Sequence, residues 1–165
     1  MAGTIKIKGL ENVMANLNKE IKAIEGRTTV GLIEGSILIR RDMDKTSPKI
    51  PVDLGNLRAS YFTVTTKKGG VASLGGVGLP FKGKEGSKMQ GERMEAITES
   101  RGVLSAVKIP SLIMGFSANY ATFNHENVGA NFKRPGAGAK FFESAIKRNS
   151  GKVIKIIQMN AIIKK

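Results

Sequence analysis

The side chain that most invites a chemical reading is His125, the one histidine of the chain, followed directly by Glu126. An imidazole beside a carboxylate can serve acid–base catalysis, and Ser60 offers a hydroxyl that a histidine could activate. The spacing argues against both a metal site and a triad. Adjacent helical positions point in different directions, no second histidine completes H-E-x-x-H, and Ser60 lacks a glycine-flanked elbow. A structural hydrogen bond or an interface contact is the favoured reading of His125. A second motif, "GLPFKGKE" from Gly78 to Glu85, nearly spells the phosphate-binding G-x-x-x-x-G-K-[ST]. Glu85 stands where the magnesium-ligating hydroxyl belongs. Gly86, Ser87 and Gly91 come next, so the helix N-terminus that completes such a cradle is not expected there. Among thirteen acids the nearest approach to a cluster is Asp42, Asp44 and Asp53, with the first two pointing apart at a helix end. There is no cysteine, which excludes disulfides, thiolate metal sites and a thiol nucleophile. No catalytic, cofactor-binding or metal-ligating residue is expected, and the weight moves to binding and assembly.

Charge supports that shift. The formal net charge is +14 on 165 residues, which favours an anionic partner: nucleic acid, an acidic protein surface or a membrane face. From Lys133 to Lys165 nine basic residues face one acid, Glu143, so this stretch alone carries +8. Lys147, Arg148, Lys152, Lys155, Lys164 and Lys165 form its candidate contact face; the alternative is a solvated helix surface that keeps the protein soluble. The length suits one domain, 1–165, able to bury a core. The N-terminus "MAGTIKIKGLENV" has no apolar signal core, and no stretch approaches the ~18 apolar residues of a membrane span. Neither export by that route nor a membrane partner is expected.

The elements that must position these residues are legible from periodicity. Thr4 to Gly9 alternates Ile and Lys as a short edge strand, and Leu10, Val13, Leu17, Ile21 and Ile24 form the stripe of an amphipathic helix. "EGRTT", Glu25 to Thr29, predicts a break, and a second helix follows over Thr29 to Lys45 with apolar residues on two faces. Gly31 and Gly35 within it are tolerable where another backbone comes close. Pro48 and Pro51 end the helix. In "PVDLGNLRAS" Asp53 can accept backbone hydrogen bonds and Gly55 permits a tight path into one short helical turn. "SYFTVTT" and "IPSLIMGFS" read as strands, and the glycine-rich 67–108 between them as a flexible hairpin insertion in which "GERMEAITESRGVL" is either a short helix or disordered. A short helix or turn at "NYATFNHENV" and a basic helix over Lys140 to Lys165 complete an α+β fold: long helices packed on one face of a small, mainly antiparallel sheet.

Taken in order, these motifs resemble a family. "PVDLGNLRAS" is similar to the P-x-D-T-G-x-L-R-x-S corner of tailed-bacteriophage morphogenesis proteins, the tail-completion, head–tail joining or minor capsid proteins. "YATFNHE" followed by "GAGAKFFESAIKR" resembles the same family's Y-A-x-x-x-H-E element and terminal helix, and Gly9, Leu10 and Leu17 match its N-terminal run. On this resemblance Pro51, Asp53, Gly55, Leu57, Arg58 and Ser60 make the corner, and Tyr120, Ala121, His125 and Glu126 the second element, as structural or interface residues. Leu54 replaces the usual threonine. The resemblance implies a structural virion protein of the neck, made in the host cytoplasm. It would form a ring of identical subunits between head connector and tail tube, with an axial DNA passage and neighbours among connector, stopper, tube and terminator proteins. A head-side stopper or minor capsid protein is the alternative within the family, and a free basic nucleic-acid-binding protein the alternative outside it.

Overall fold

A computed structural model describes residues 9–66 and 80–163. The expected strand at Thr4 to Gly9, all but its last residue, and the glycine-rich stretch 67–79 lie outside the described residues. The chain runs α1 (Leu10–Lys45), α2 (Asn56–Ala59), β1 (Tyr61–Thr65), α3 (Gly86–Ser105), β2 (Leu112–Phe116), α4 (Ala121–Glu126) and α5 (Phe141–Ala161). The α+β class is as expected: long helices around a two-stranded antiparallel sheet, with Tyr61 opposite Phe116 and Thr65 opposite Leu112.

Three expectations are corrected. The break at Glu25 to Thr29 does not occur, and α1 is one continuous helix of 36 residues. The Thr29 hydroxyl donates to the Glu25 carbonyl (2.9 Å), so this threonine's hydrogen bonding is absorbed inside the helix. Gly26 costs propensity without breaking the ladder. The second correction concerns 67–108, where of the two alternatives for "GERMEAITESRGVL" the helix is found, and as Gly86–Ser105 it runs to 20 residues, longer than the short helix expected. Met89, Ile97 and Leu104 recur at helical spacing and are buried, an apolar stripe hidden in the sequence by the glycines around it. Third, helices cover both faces of the sheet. Tyr61 packs with Ile39, Met43, Phe141 and Ala145 of α1 and α5, whereas Phe62 and Val64 pack with Ile97 and Leu104 of α3. Strand alternation sends these residues to opposite sides, each covered by helices, so β1 is buried along its whole length, including Thr63 and Thr65 on the Tyr61 side.

The principal layer is α1 against α5, running antiparallel. Gly35 faces Val153, and Asn160 near the end of α5 donates its amide to Glu34 (2.8 Å). Phe116 joins sheet and helices by edge-on contacts with Tyr61, Phe141 and Phe142 at ring separations of 5.5, 5.7 and 5.8 Å. The loop after α1 is fixed by a short bridge in which Lys49 N–H donates to Gly136 O (2.8 Å) and Gly138 N–H to Lys49 O (3.2 Å).

Candidate functional site

The corner is built around Gly55, whose φ of 92° is a left-handed conformation that a residue without Cβ adopts freely. From there α2 makes its single turn. Leu57 and Ala59 point into the core, and the Ser60 hydroxyl donates back to Leu57 O (2.8 Å). Ser60 O then accepts Ser117 N–H (3.0 Å), so the corner also holds the far end of β2. Pro51 is buried at the entrance. Asp53 does not cap the turn as expected: Gly55 is the N-cap with no side-chain hydrogen bond, and Asp53 instead pairs with Lys133 (3.0 Å) on the exposed surface. Gly55 already sets the turn, leaving the carboxylate free to reach across to the α4–α5 connection. Leu54, the residue in place of threonine, is exposed.

Arg58 leads to a charge cluster that the sequence did not reveal. Asp44, at the end of α1, accepts from Arg40 Nη1 at Oδ2 (2.8 Å), and its Oδ1 lies 3.1 Å from Arg58 Nε and 3.5 Å from Arg134 Nη1. The Arg58 contact is an ion pair without hydrogen-bond alignment. Arg134 also donates to the backbone carbonyls of Asp44 (2.7 Å) and Ile50 (3.0 Å). One carboxylate thus ties α1, the corner and the α4–α5 connection together, with three guanidinium groups around it. Burial pulls the Arg40 guanidinium below its ordinary value, and Asp44 opposes that shift. No motif contains Asp44 and Arg134 together, because ninety positions separate them.

The second element, on α4, meets the start of α5. His125 Nδ1 lies 2.6 Å from Glu126 Oε1, and Nε2 accepts the backbone N–H of Glu143 (3.3 Å). The two contacts select one neutral tautomer, with the proton on Nδ1. Glu143 is the third residue of α5, so the imidazole satisfies an amide that a helix N-terminus otherwise leaves open. Lys140 N–H donates to His125 O (2.7 Å), and the Lys140 ammonium binds Glu126. That ammonium, followed by His125, holds the Glu126 carboxyl below its ordinary value. Nε2 thus holds α4 to α5 directly, while Nδ1 engages Glu126, whose other oxygen meets Lys140 at the start of α5. Ala121, at the start of α4, is buried in the core.

Tyr120 joins the two elements. It lines an open groove of about 450 Å³ with the corner residues Pro51 to Leu57, Met89 of α3, Phe132 and Lys133. Burial raises the Tyr120 phenol above its ordinary value, and the charges of Asp53 and Glu92 add to that. Asn56 on the groove holds Lys82 by two bonds, accepting its N–H (2.7 Å) and donating to its carbonyl (2.8 Å), which pins the β1–β2 connection beside the corner.

The expected basic face divides. Arg148 turns inward to Asp42 through Nε (2.9 Å) and Nη2 (2.5 Å) and to Ser47 O (3.1 Å), and Lys147 pairs with Glu143 (2.5 Å). Lys152 and Lys155 are exposed on α5, and Lys164 and Lys165 lie outside the described residues. The near-P-loop is also revised, since α3 begins at once after Glu85. Glu85 occupies the N-cap of that helix, which places a carboxylate where a phosphate would have to approach. Among the described residues no group of three or more His, Cys, Asp or Glu could hold a metal ion, and no helix is long and apolar enough to cross a membrane.

Compared with protein-family models, with curated proteins and with solved structures, the chain finds no match.

Proposed function

We propose that this chain is a structural protein of a tailed-bacteriophage neck, a subunit of a homo-oligomeric ring that joins or seals the tail tube to the head connector around the DNA passage. The observation that carries the reading is the use made of its reactive side chains. His125 caps α5, Ser60 closes the corner, and Asp42 and Asp44 anchor arginines from distant parts of the chain. The two motifs that resemble the neck family are thereby frame elements of one body, and Tyr120 brings them to a common groove. In a ring this groove is a surface for a neighbouring subunit or for the next layer of the neck. The β1–β2 connection, glycine-rich in its first part, is the insertion this chain adds, and partner contact is its expected role. Tail completion is favoured over a head-side stopper or minor capsid position by the resemblance alone.

Phage particles lacking the chain provide the test. Full heads and separate tails should accumulate, and a reconstruction of the complete particle should place the protein between connector and tube. Its absence from mature particles would reject the reading. A free nucleic-acid-binding protein is the second reading, favoured by the net charge of +14 and the exposed Lys152 and Lys155. It requires the isolated chain to bind DNA with an affinity that falls steeply with added salt.

A further inference from the structure

The N-terminal stretch of α1 has no partner among the described residues. Every residue from Gly9 to Lys19 is exposed, including Leu10, Val13, Met14 and Leu17, with Val13 62% and Leu17 52% accessible. The cause is geometric. α5 packs antiparallel on α1 and ends at Ala161, one residue beyond Asn160, which sits against Gly31 and Glu34. Leu10–Ile24 continues for about 22 Å at 1.5 Å per residue along a line that α5 does not cover. Such an arm is a poor helix by itself. Asn12, Asn16 and Asn18 are weak formers, and a helix of this length depends on packing of its apolar face.

The apolar positions show what that packing requires. Leu10, Met14, Leu17, Ile21 and Ile24 follow one another at steps of four, three, four and three, which is the seam of a two-helix coiled coil. The same count continues through Thr28 to Gly31 and Gly35, the positions that meet Ile157 and Val153 of α5. Among the described residues the seam is therefore closed by a helix in its second half and open from Leu10 to Ile21. Charge then distinguishes among occupants. Between Leu10 and Ile24 two acids, Glu11 and Glu20, balance two bases, Lys19 and Lys22, whereas the chain as a whole carries +14. An acidic foreign protein would be drawn to the basic remainder, while two copies of this chain repel least where they are neutral.

We infer that the arm Leu10–Ile24 pairs with the same arm of a second copy of this chain, seam to seam. The pairing rests on α1 alone and not on the neck reading, so the particle experiments leave it untouched. Because the chain has no cysteine, Leu17→Cys and Ile21→Cys each introduce a single thiol. On mild oxidation, disulfide-linked dimers should form with Leu17→Cys alone if the arms run parallel, or in a mixture of the two variants if they run antiparallel. Lys152→Cys, exposed on α5, should give none. Sedimentation of the untagged chain should show a dimer or a multiple of it, and Leu17→Glu combined with Ile21→Glu should remove that pairing while the unfolding of the α1–α5 body persists. A wild-type chain that sediments as a monomer at all concentrations overturns the inference. So does a double variant that assembles as the wild type does, an outcome that assigns the arm to a foreign partner.

Discussion

A Cβ built on Gly31 falls 2.8 Å from Ile157 Cα, inside the distance that real contacts reach. The neighbour is backbone and cannot rotate away, so a side chain at this position separates α1 from α5. Gly31→Ala is expected to lower stability by about 1–3 kcal/mol through overpacking, against a helix-propensity gain of at most about 1 kcal/mol. Gly26, in the same helix, has nothing within 4 Å of its Cβ position. Gly26→Ala is expected to raise stability by about 0.5–1 kcal/mol. Denaturant midpoints of the two variants should move in opposite directions; movement in the same direction would show that propensity, not helix contact, governs both sites.

Asp44 should be the most sensitive acid of the fold. Its side chain is 20% exposed, and removing it leaves Arg40, Arg58 and Arg134 facing one another without a counter-charge. Asp44→Ala is expected to cost about 2–3 kcal/mol, below the full penalty of a wholly buried pair. Glu20→Gln, which breaks the more exposed Glu20–Arg27 pair, should cost under about 1 kcal/mol. Equal shifts in urea midpoint for the two variants would remove the special standing of Asp44.

His125→Ala should behave as a lost helix cap. The Glu143 amide loses its acceptor, and Phe141 loses an edge-on neighbour 5.1 Å away. A fall in stability of about 1 kcal/mol is expected, with faster hydrogen exchange in the first turn of α5. An imidazole held for catalysis would leave both the midpoint and the exchange of α5 unchanged.

How much of this was legible beforehand depended on the distance over which a residue acts. The strands at Tyr61 and Leu112, the corner turn at Gly55 and the helix at Phe141 are local patterns, and periodicity exposes them. The close approach at Gly31 and Gly35 was also foreshadowed, because glycine inside a helix costs stability unless something replaces the missing side chain. Contacts between distant positions were not. Asp44 with Arg134, Asn56 with Lys82, and His125 with the Glu143 amide join segments whose pairing no spacing rule contains. Asp53 illustrates the opposite error: an acid before a glycine suggests a cap, yet the fold gave it to Lys133, and Asp53→Ala should cost less than about 1 kcal/mol. The continuity of α1 was hidden because propensity at Gly26 to Thr29 is locally weak while the helices packed beyond it are not.

Asp42 supplies the pH dependence. Burial pushes its carboxyl up, but hydrogen bonds, led by that from Arg148, outweigh this and hold it below its ordinary value of 3.8. A carboxyl depressed in the folded chain binds protons more readily when unfolded, so it favours folding only while it is ionised in both states. Its contribution is complete above pH 3.8 and is lost as pH falls below that value and through the lower folded one. Arg148→Ala removes the partner and should lower the unfolding temperature at neutral pH. The gap between variant and wild type should then narrow as the solution is acidified below 3.8, because protonated Asp42 no longer distinguishes them. A gap that stays constant across that interval would mean that Arg148 acts through Ser47 O and its own packing, and that the Asp42 charge contributes nothing to joining α5 to α1.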